Sequence, residues 1–182
     1  DGADLGVVFF HNAGYSTACG HGTIALVTWA LDEGIVERHE GENSVVVDVP
    51  SGRLDTVAQV SDGRVRSVRF RNVPAFVWAT GVEVAGRTVD VAYGGAFYAS
   101  VSELVEPAEL PRLIELGREI KRELEAWQEI VHPLEPELRD VYGVIFWQEE
   151  GENPLTQRNV TVFADGEVDR SPCGSGTSAR LA

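Results

Sequence analysis

The only two cysteines of the chain lie in the same short sequence frame near its opposite ends. CGHGTIA begins at Cys19 and CGSGTSA begins at Cys173, and the two segments differ only at their third and sixth positions. A repeated frame of this kind constrains the fold more than any other feature of the sequence. It predicts an internal duplication, with one cysteine at the equivalent place in each half.

The hydrophobic pattern around both frames supports this duplication. LGVVFF at 5–10 is typical of a buried strand, and residues 23–33 are apolar on most faces, which predicts a buried helix closed by Gly34. Near the other end, the strand-like residues 159–165 lead through a loop to a second helix start at 173. Each cysteine is therefore expected just before a buried helix.

The residues between the two frames alternate in polarity or are β-branched over most of their length. They predict strands at 44–49, 53–60, 64–73, 75–79, 88–92 and 141–148. A double glycine inside the strand-like run 92–101 indicates a bulge or a close approach of another backbone. Residues 107–131 predict one amphipathic helix. We expect a mixed α/β (α+β) fold with a first lobe over 1–80 and a second over 81–182.

Composition excludes several classes of partner. The 182 residues carry 15 Lys and Arg against 29 Asp and Glu, a net charge of −14, which argues against nucleic acid and anionic membrane surfaces. No apolar run is long enough to span a bilayer. The acidic first residues do not resemble a secretory leader, so we expect a cytoplasmic protein with reduced thiols.

The ends of the sequence also carry an expectation. The chain contains no methionine and stops inside the first turns of a helix-like segment, SARLA. We therefore expect a fragment of a longer protein, truncated at both ends.

A cysteine at a helix N-terminus has a distinctive chemical setting. Unpaired backbone N–H groups and the positive end of the helix dipole favour the thiolate over the thiol. The glycines of both frames leave those N–H groups accessible to a small anion, such as a carboxylate. If the two halves meet about a pseudo-two-fold axis, two thiols flank one α-carbon. This arrangement suits inversion by two bases, in which one thiolate removes the α-proton and the opposite thiol delivers another.

Other interpretations of the same residues remain open at this point. Either cysteine, taken singly, can be an inert buried residue. A zinc site would use Cys19, His21, Cys173 and His11, but the spacing contains no CxxC or HxxxH pair. His21 can also be a helix cap or a core contact, and Asp169 a plain turn residue.

Longer stretches around both cysteines resemble the proline racemase family. GYSTACGHGTIA and DRSPCGSGTSARLA are similar to its two signature motifs, and NVTVFADGEVDRSPCG and DVAYGGAFYA resemble it too. The family includes proline racemases, 4-hydroxyproline 2-epimerases and trans-3-hydroxyproline dehydratases. The resemblance implies a diaminopimelate-epimerase-like fold of two pseudo-symmetric lobes, each with a curved, mostly antiparallel sheet around a central helix. It also implies that no metal and no cofactor are used.

The resemblance implies roles for eight residues. The two acid/base residues would be Cys19 and Cys173. The residues implied to bind substrate are Gly20, His21, Gly174 and Ser175 at the carboxylate, Asp169 at the ring nitrogen, and Phe163 against the ring.

The two branches of the family differ at the second cysteine. GYST before Cys19 and VYG at 141–143 look more like the dehydratases, which typically carry Thr at the position of Cys173. With Thr there, the second base is absent and elimination replaces inversion. The segments CGHGTI and GTSAR also resemble the hydroxyproline epimerases. Together with Cys173, they favour an epimerase or racemase.

The expected function is inversion at Cα of 4-hydroxyproline or proline without a cofactor. The alternatives are dehydration of trans-3-hydroxy-L-proline and a non-catalytic homologue that binds a small anion or amino acid. The expected partner is a small amino-acid substrate, with no nucleic acid and no membrane, and a homodimer is left open.

Overall fold

The computed structural model describes residues 2–152 and 155–182. In chain order its elements are β1 (Leu5–Gly6), β2 (Phe9–His11), β3 (Gly14–Ser16), α1 (Gly20–Asp32), β4 (Gly41–Val49), β5 (Gly52–Ser61), β6 (Arg64–Phe70), β7 (Phe76–Val84), β8 (Arg87–Tyr93), β9 (Phe97–Ser102), α2 (Leu110–Trp127), β10 (Val141–Glu152), β11 (Leu155–Phe163), β12 (Glu167–Val168) and α3 (Gly174–Arg180). No helix in this part of the chain is both long and apolar enough to cross a membrane.

The chain divides into two compact units. One comprises Asp1–Phe10 with Tyr15–Val73, and the other comprises His11–Gly14 with Pro74–Ala182. The sequence-based division into lobes after residue 80 stays a prediction.

The first unit is built on a four-stranded sheet in the order β1–β4–β5–β6. β1 runs parallel to β4, and the other pairs are antiparallel. The buried residues of α1 follow helical spacing, since Thr23, Val27, Ala30 and Leu31 share one face. Val27 and Leu31 pack with sheet residues such as Val47 in one core cluster. Burial of each such side chain contributes about 1.5–3 kcal/mol.

The C-terminus of α1 forms as the sequence predicts. Gly34 adopts a positive φ of 70°, and the N–H of Ile35 donates to the carbonyl of Ala30 at 2.8 Å. This is the hydrogen-bond pattern of a Schellman cap, which favours glycine at that position. The expectation that α1 is buried all round is wrong, because the sheet covers one face only. Ile24 remains 39% exposed and Trp29 remains 52% exposed.

The second unit contains a six-stranded sheet in the order β12–β11–β10–β9–β8–β7. Its strands are antiparallel except for β9 and β10, which run parallel. The connection between these parallel strands contains α2, because parallel neighbours require a crossover. α2 packs closely on the sheet, where a Cβ on Gly117 would lie 3.1 Å from Val162.

The amphipathic helix is shorter than the 107–131 that its periodicity predicts. A 3₁₀ turn at Pro107–Glu109 precedes α2, and Gln128 is already extended. The carbonyl of Val131 accepts a hydrogen bond from Nε1 of Trp78 at 3.1 Å. Val131 therefore contacts β7 and pairs with Arg139 instead of continuing the helix, and a pattern of apolar spacing does not reveal those contacts.

The double glycine in 92–101 separates two strands instead of lying within one. β8 ends at Tyr93 and β9 begins at Phe97. A Cβ on Gly94 would lie 2.3 Å from the carbonyl oxygen of Ser175 and 2.5 Å from the backbone nitrogen of Ala179. The predicted close approach of another backbone is confirmed, and the approaching backbone is that of α3.

Tyr93 is a buried residue with an unusual hydroxyl. Its side chain is 2% exposed and packs among Phe76, Phe97 and His132, with ring centroids 5.3, 5.0 and 4.8 Å away. The hydroxyl has no hydrogen-bond partner among the described residues. Burial, with a smaller contribution from the charge of Glu135, raises the pKa of Tyr93 to about 12.

We expect Tyr93→Phe to leave the free energy of unfolding unchanged or to raise it by about 1 kcal/mol at pH 7, because it removes a buried hydroxyl that lacks a partner. Because the folded-state pKa of Tyr93 lies above the ordinary value of about 10, the contribution of Tyr93 to stability is fully present below that pH and is lost as pH rises toward about 12. Urea denaturation at pH 7 and pH 11 tests both points. The variant should lose less stability between them, and an equal loss would contradict this account.

Candidate functional site

Each cysteine occupies the N-cap position of a helix. Cys19 precedes α1 and Cys173 precedes α3. Each cysteine carbonyl accepts the first hydrogen bond of its helix. The N–H of Thr23 donates to Cys19 at 2.9 Å, and the N–H of Thr177 donates to Cys173 at 2.7 Å. Neither cysteine is in a disulfide. The structure therefore places both thiols at the positive ends of helices, as the sequence predicts.

The second glycine of each frame lies directly beneath the thiol. A Cβ on Gly22 would lie 2.9 Å from Sγ of Cys19, and one on Gly176 would lie 3.0 Å from Sγ of Cys173. The first glycines are different, because a Cβ on Gly174 would meet no atom within 4 Å and one on Gly20 would meet only Phe70, at 3.5 Å. The thiol, with Phe9 beside Gly22 and Ile145 beside Gly176, therefore leaves little room for a side chain at the second glycine of each frame.

The threonine of each frame secures the same turn. The hydroxyl of Thr23 donates to the carbonyl of Cys19 at 2.9 Å, and that of Thr177 donates to the carbonyl of Pro172 at 2.8 Å. Both bonds return from the first helical turn to the loop before it. The repeated residues Cys, Gly and Thr thus have a shared structural purpose, which is to hold a thiol on the first turn of a helix.

The surroundings of the two thiols differ. Cys19 is half-buried, and its Sγ lies 3.6 Å from Nε2 of the exposed His21. Cys173 is 7% exposed, and its thiol donates to the hydroxyl of Tyr98 at 3.5 Å. That hydroxyl is also 2.8 Å from Oγ of Ser175. One thiol therefore faces an imidazole and the other faces a buried phenol.

The backbone at the two cysteines differs as well. Cys19 is extended, with φ at −150°. Cys173 has φ at 55° and ψ at 94°, in the region where residues other than glycine are strained. Strain of this kind costs about 1–3 kcal/mol and persists where surrounding contacts hold it, often at functional sites.

Asp169 organises the loop that carries Cys173. Its Oδ1 accepts hydrogen bonds from both the N–H and the hydroxyl of Ser171, each at 2.9 Å. Oγ of Ser171 in turn accepts the N–H of Cys173 at 3.3 Å, and the N–H of Asp169 donates to the carbonyl of Thr161 on β11. Asp169 is thus a turn residue, and its contact with a ring nitrogen stays a prediction.

Phe163 belongs to an aromatic group in the same unit. Its ring stacks on Tyr142 with centroids 5.6 Å apart and meets His11 edge-on at 6.1 Å. Tyr142 in turn meets Tyr98 edge-on at 5.7 Å. This group connects Phe163 to the phenol that contacts Cys173. Phe163 also packs closely on the backbone of β10, since a Cβ on Gly143 would lie 3.1 Å from Cβ of Phe163.

The predicted site residues fall into two local groups. Cys19, Gly20 and His21 lie in the first unit, and the second unit holds the remaining predicted residues: Phe163, Asp169, Cys173, Gly174 and Ser175. Tyr98, Tyr142 and Ser171 were not predicted as site residues from the sequence. Each lies in a segment that resembles the family, Tyr98 in DVAYGGAFYA, Tyr142 in VYG and Ser171 in DRSPCG, but spacing alone does not show what they contact.

The zinc alternative gains no support from the geometry. Within residues 2–152 and 155–182, no three His, Cys, Asp or Glu side chains lie close enough together to hold one metal ion.

Comparison with known proteins agrees with these motifs. The family model described as proline racemase matches residues 1–182. The chain belongs to the proline racemase family. This proline racemase homologue is 44% identical over 189 residues to a trans-3-hydroxy-L-proline dehydratase of Bacillus cereus, with 99% of this chain and 57% of the relative covered. It is also 44% identical over 192 residues to a 3-hydroxyproline 2-epimerase of Burkholderia multivorans, with the same coverage.

The fold of this family member is also shared with solved structures. A hydroxyproline epimerase from Agrobacterium vitis, with bound trans-4-hydroxy-L-proline, matches with a TM-score of 0.89 and 33% identity. The match covers 97% of this chain and 53% of that one. The expected mixed α+β class is confirmed, and the chain spans about half the length of the relatives it matches.

The contact between thiol and glycine generates a prediction. We expect Gly22→Ala to lower the free energy of unfolding by about 1–3 kcal/mol, because the new methyl group would overlap Sγ of Cys19 and the ring of Phe9, both at 2.9 Å. Gly20→Ala is the matched control on the same helix and should not destabilise the protein. Urea denaturation of both variants provides the measurement.

A double-mutant cycle separates the thiol from the rest of the packing. In a Cys19→Ala background, Gly22→Ala should cost less than it does in the parent, because Sγ is gone. An undiminished cost would show that the thiol does not require the glycine.

Proposed function

We propose that this protein is a cofactor-independent epimerase or racemase that inverts Cα of hydroxyproline or proline, with Cys19 and Cys173 as the two acid/base residues. The observation that carries the proposal is the shared setting of the two thiols. Each cysteine is the N-cap residue of a helix, and its sulfur packs against a glycine where an added Cβ would be crowded. One inert cysteine would not require this setting, and two in the same setting fit a reaction with two equivalent proton transfers.

The proposed reaction moves one proton at each face of the α-carbon. The thiolate of one cysteine removes the α-proton, and the thiol of the other delivers a proton to the opposite face of the resulting carbanion. The C–H bond that breaks is replaced by one of opposite configuration, and the two cysteines end with their protonation states exchanged. The proposal requires both thiols to reach one substrate. Proton transfer of this kind contributes about 10²–10⁴-fold to a rate.

Backbone N–H groups of the first helical turns would bind the carboxylate. The first N–H groups of a helix have no partner within it, and Gly20 and Gly174 add no side chain in front of them. Hydrogen bonds to the carboxylate strengthen as negative charge moves onto it from the α-carbon. Asp169 would pair with the ring nitrogen, and Phe163 would pack against the ring. The names of the relatives support hydroxyproline as the substrate class.

Dehydration of trans-3-hydroxy-L-proline is the second candidate. It is favoured by the relative of that name in Bacillus cereus. In this reaction a base removes the α-proton, the 3-hydroxyl leaves with a proton as water, and the enamine tautomerises to a cyclic imine. One base is sufficient for the elimination, so the equivalent setting of Cys173 favours inversion.

A binding module without catalysis is the remaining candidate. It would bind pyrrole-2-carboxylate, a planar mimic of the carbanion, but would not exchange the α-proton of any proline isomer with solvent.

We expect Cys19→Ser and Cys173→Ser each to lower the rate of inversion by at least about 10²-fold, because each removes one of the two proton carriers. The assay uses the complete protein with a panel of proline and hydroxyproline stereoisomers, read by polarimetry and by α-proton exchange in deuterated solvent. Tyr93→Phe, a conservative change outside the proposed site, is the control. Near-normal inversion by either serine variant would contradict the two-base scheme, and imine without epimer would establish the dehydratase.

A further inference from the structure

The hydroxyl of Tyr98 lies between two members of the second cysteine frame. It is 2.8 Å from Oγ of Ser175 and 3.5 Å from Sγ of Cys173. All three side chains are buried, at 1%, 8% and 7% exposure. Burying a polar group is costly unless it is hydrogen-bonded, so these two hydroxyls and the thiol are expected to be hydrogen-bonded to one another.

Tyr98 is held by the sheet and not by a loop. It lies on β9, where it pairs with Ala92 on one side and with Gly143 on the other. The ring of Tyr142 meets it edge-on. Gly94 lets the backbone of α3 approach this part of the sheet closely. The position of the phenol relative to the thiol is therefore set by a rigid element, which favours accurate placement.

The phenol stays protonated over the range in which a thiol titrates. Burial, together with the nearby thiol of Cys173, raises the pKa of Tyr98 well above its ordinary value. Tyr98 thus always has one proton to donate and two neighbours that can accept it. With Cys173 as a thiol, its S–H donates to the phenol oxygen, which leaves the phenol O–H available to donate to Oγ of Ser175.

We propose that Tyr98 and Ser175 form a hydrogen-bond pair that reverses direction when Cys173 loses its proton. The phenol then donates to the thiolate sulfur, and the hydroxyl of Ser175 donates to the phenol oxygen. No covalent bond changes, because both hydroxyls only rotate. Tyr98 is thus a positioning residue that stabilises the charge of Cys173 in a buried place, where water cannot do so.

The proposal rests on the proposed function of Cys173. It adds that the two cysteines have different neighbours to stabilise their thiolates. Cys19 has beside it the imidazole of His21, which is exposed. Cys173 has a neutral donor that follows the charge on the sulfur. The two thiolates are therefore stabilised by different means.

Other titratable groups lie on the elements that pack around Cys173. They include Tyr142 on β10, Asp90 and Tyr93 on β8, Asp169 and Arg170 on its own loop, and Arg180 on α3. Asp169 is bonded to Ser171, and the guanidinium of Arg180 lies 4.4 Å from the ring centroid of Trp147. The thiol of Cys173 contacts the hydroxyl of Tyr98, so removal of that hydroxyl is the direct test.

The experiment measures the ionisation of Cys173 alone. In a Cys19→Ser background, the ultraviolet absorbance of the thiolate is followed against pH. We expect Tyr98→Phe to raise the midpoint by about one pH unit, so that the thiolate fraction below the midpoint falls about tenfold, because a hydrogen bond to a charged group is lost. Ser175→Ala, which leaves the phenol in place, should raise it less.

Tyr93→Phe is the matched control, since it makes the same chemical change at another buried tyrosine of the same sheet. It should leave the midpoint unchanged. An unchanged midpoint in Tyr98→Phe, or an equal shift in Tyr93→Phe, would overturn the proposal, provided that circular dichroism shows both variants folded. A variant that fails to fold is replaced by Ser175→Ala, for which no shift is the overturning result.

The complete protein separates this proposal from the proposed function. If Tyr98→Phe shifts the midpoint while Cys173→Ser retains inversion, the hydrogen-bond pair is real and the two-base scheme is wrong. If Cys173→Ser abolishes inversion while the midpoint stays fixed, the scheme holds and the role of Tyr98 is overturned. If both hold, Tyr98→Phe should also shift the acid limb of the pH profile of kcat/KM to higher pH. This shift is expected for the direction of inversion in which Cys173 removes the α-proton.

Discussion

The contact between a thiol and the first turn of a helix is the constraint on which the other features of this protein depend. In both frames the sulfur occupies the space that a Cβ three residues later would need. This contact, together with the crowding from Phe9 at Gly22 and from Ile145 at Gly176, explains why glycine recurs at both positions. The threonine bonds hold the loop so that the sulfur stays over the turn. A thiol held in this way lies at the positive end of a helix.

The same arrangement of cysteine, glycine and threonine occurs in two different surroundings. The α1 frame lies on a four-stranded sheet that covers one face of a long helix. The α3 frame lies against β8 and β9, where Gly94 removes the side chain that would keep the helix away. As a result, Cys173 is buried beside a phenol, whereas Cys19 is half-buried beside an imidazole. The similarity of the frames supports equivalent chemistry, and the difference in surroundings gives each thiol its own means of holding charge.

Much of the fold follows from local sequence, and the errors have identifiable causes. The end of α1 at Gly34 was predicted because a helix end depends on a few adjacent residues, whereas α1 begins at Gly20, three residues before the predicted start. The double glycine at 94–95 was correctly taken as a close backbone approach, although its partner was unknown. The helix at 107–131 was predicted too long, because Trp78 binds the carbonyl of Val131 from another strand. The short strand β12 was predicted as loop, since Glu167 and Val168 form a strand only by pairing with β11.

The sequence by itself determined the parts of the site that lie within one helical turn: the cysteine, the glycine beneath it and the threonine that closes the loop. These contacts join residues at most five positions apart, so the residue types and their spacing are sufficient to specify them. Only the tertiary structure decided what each sulfur touches beyond its own turn. Tyr98 and Cys173 are distant in the chain and meet because β9 pairs with β8 and β10 while α3 packs over Gly94. Contacts of that kind depend on the packing of several elements at once, and no local pattern of residues records them.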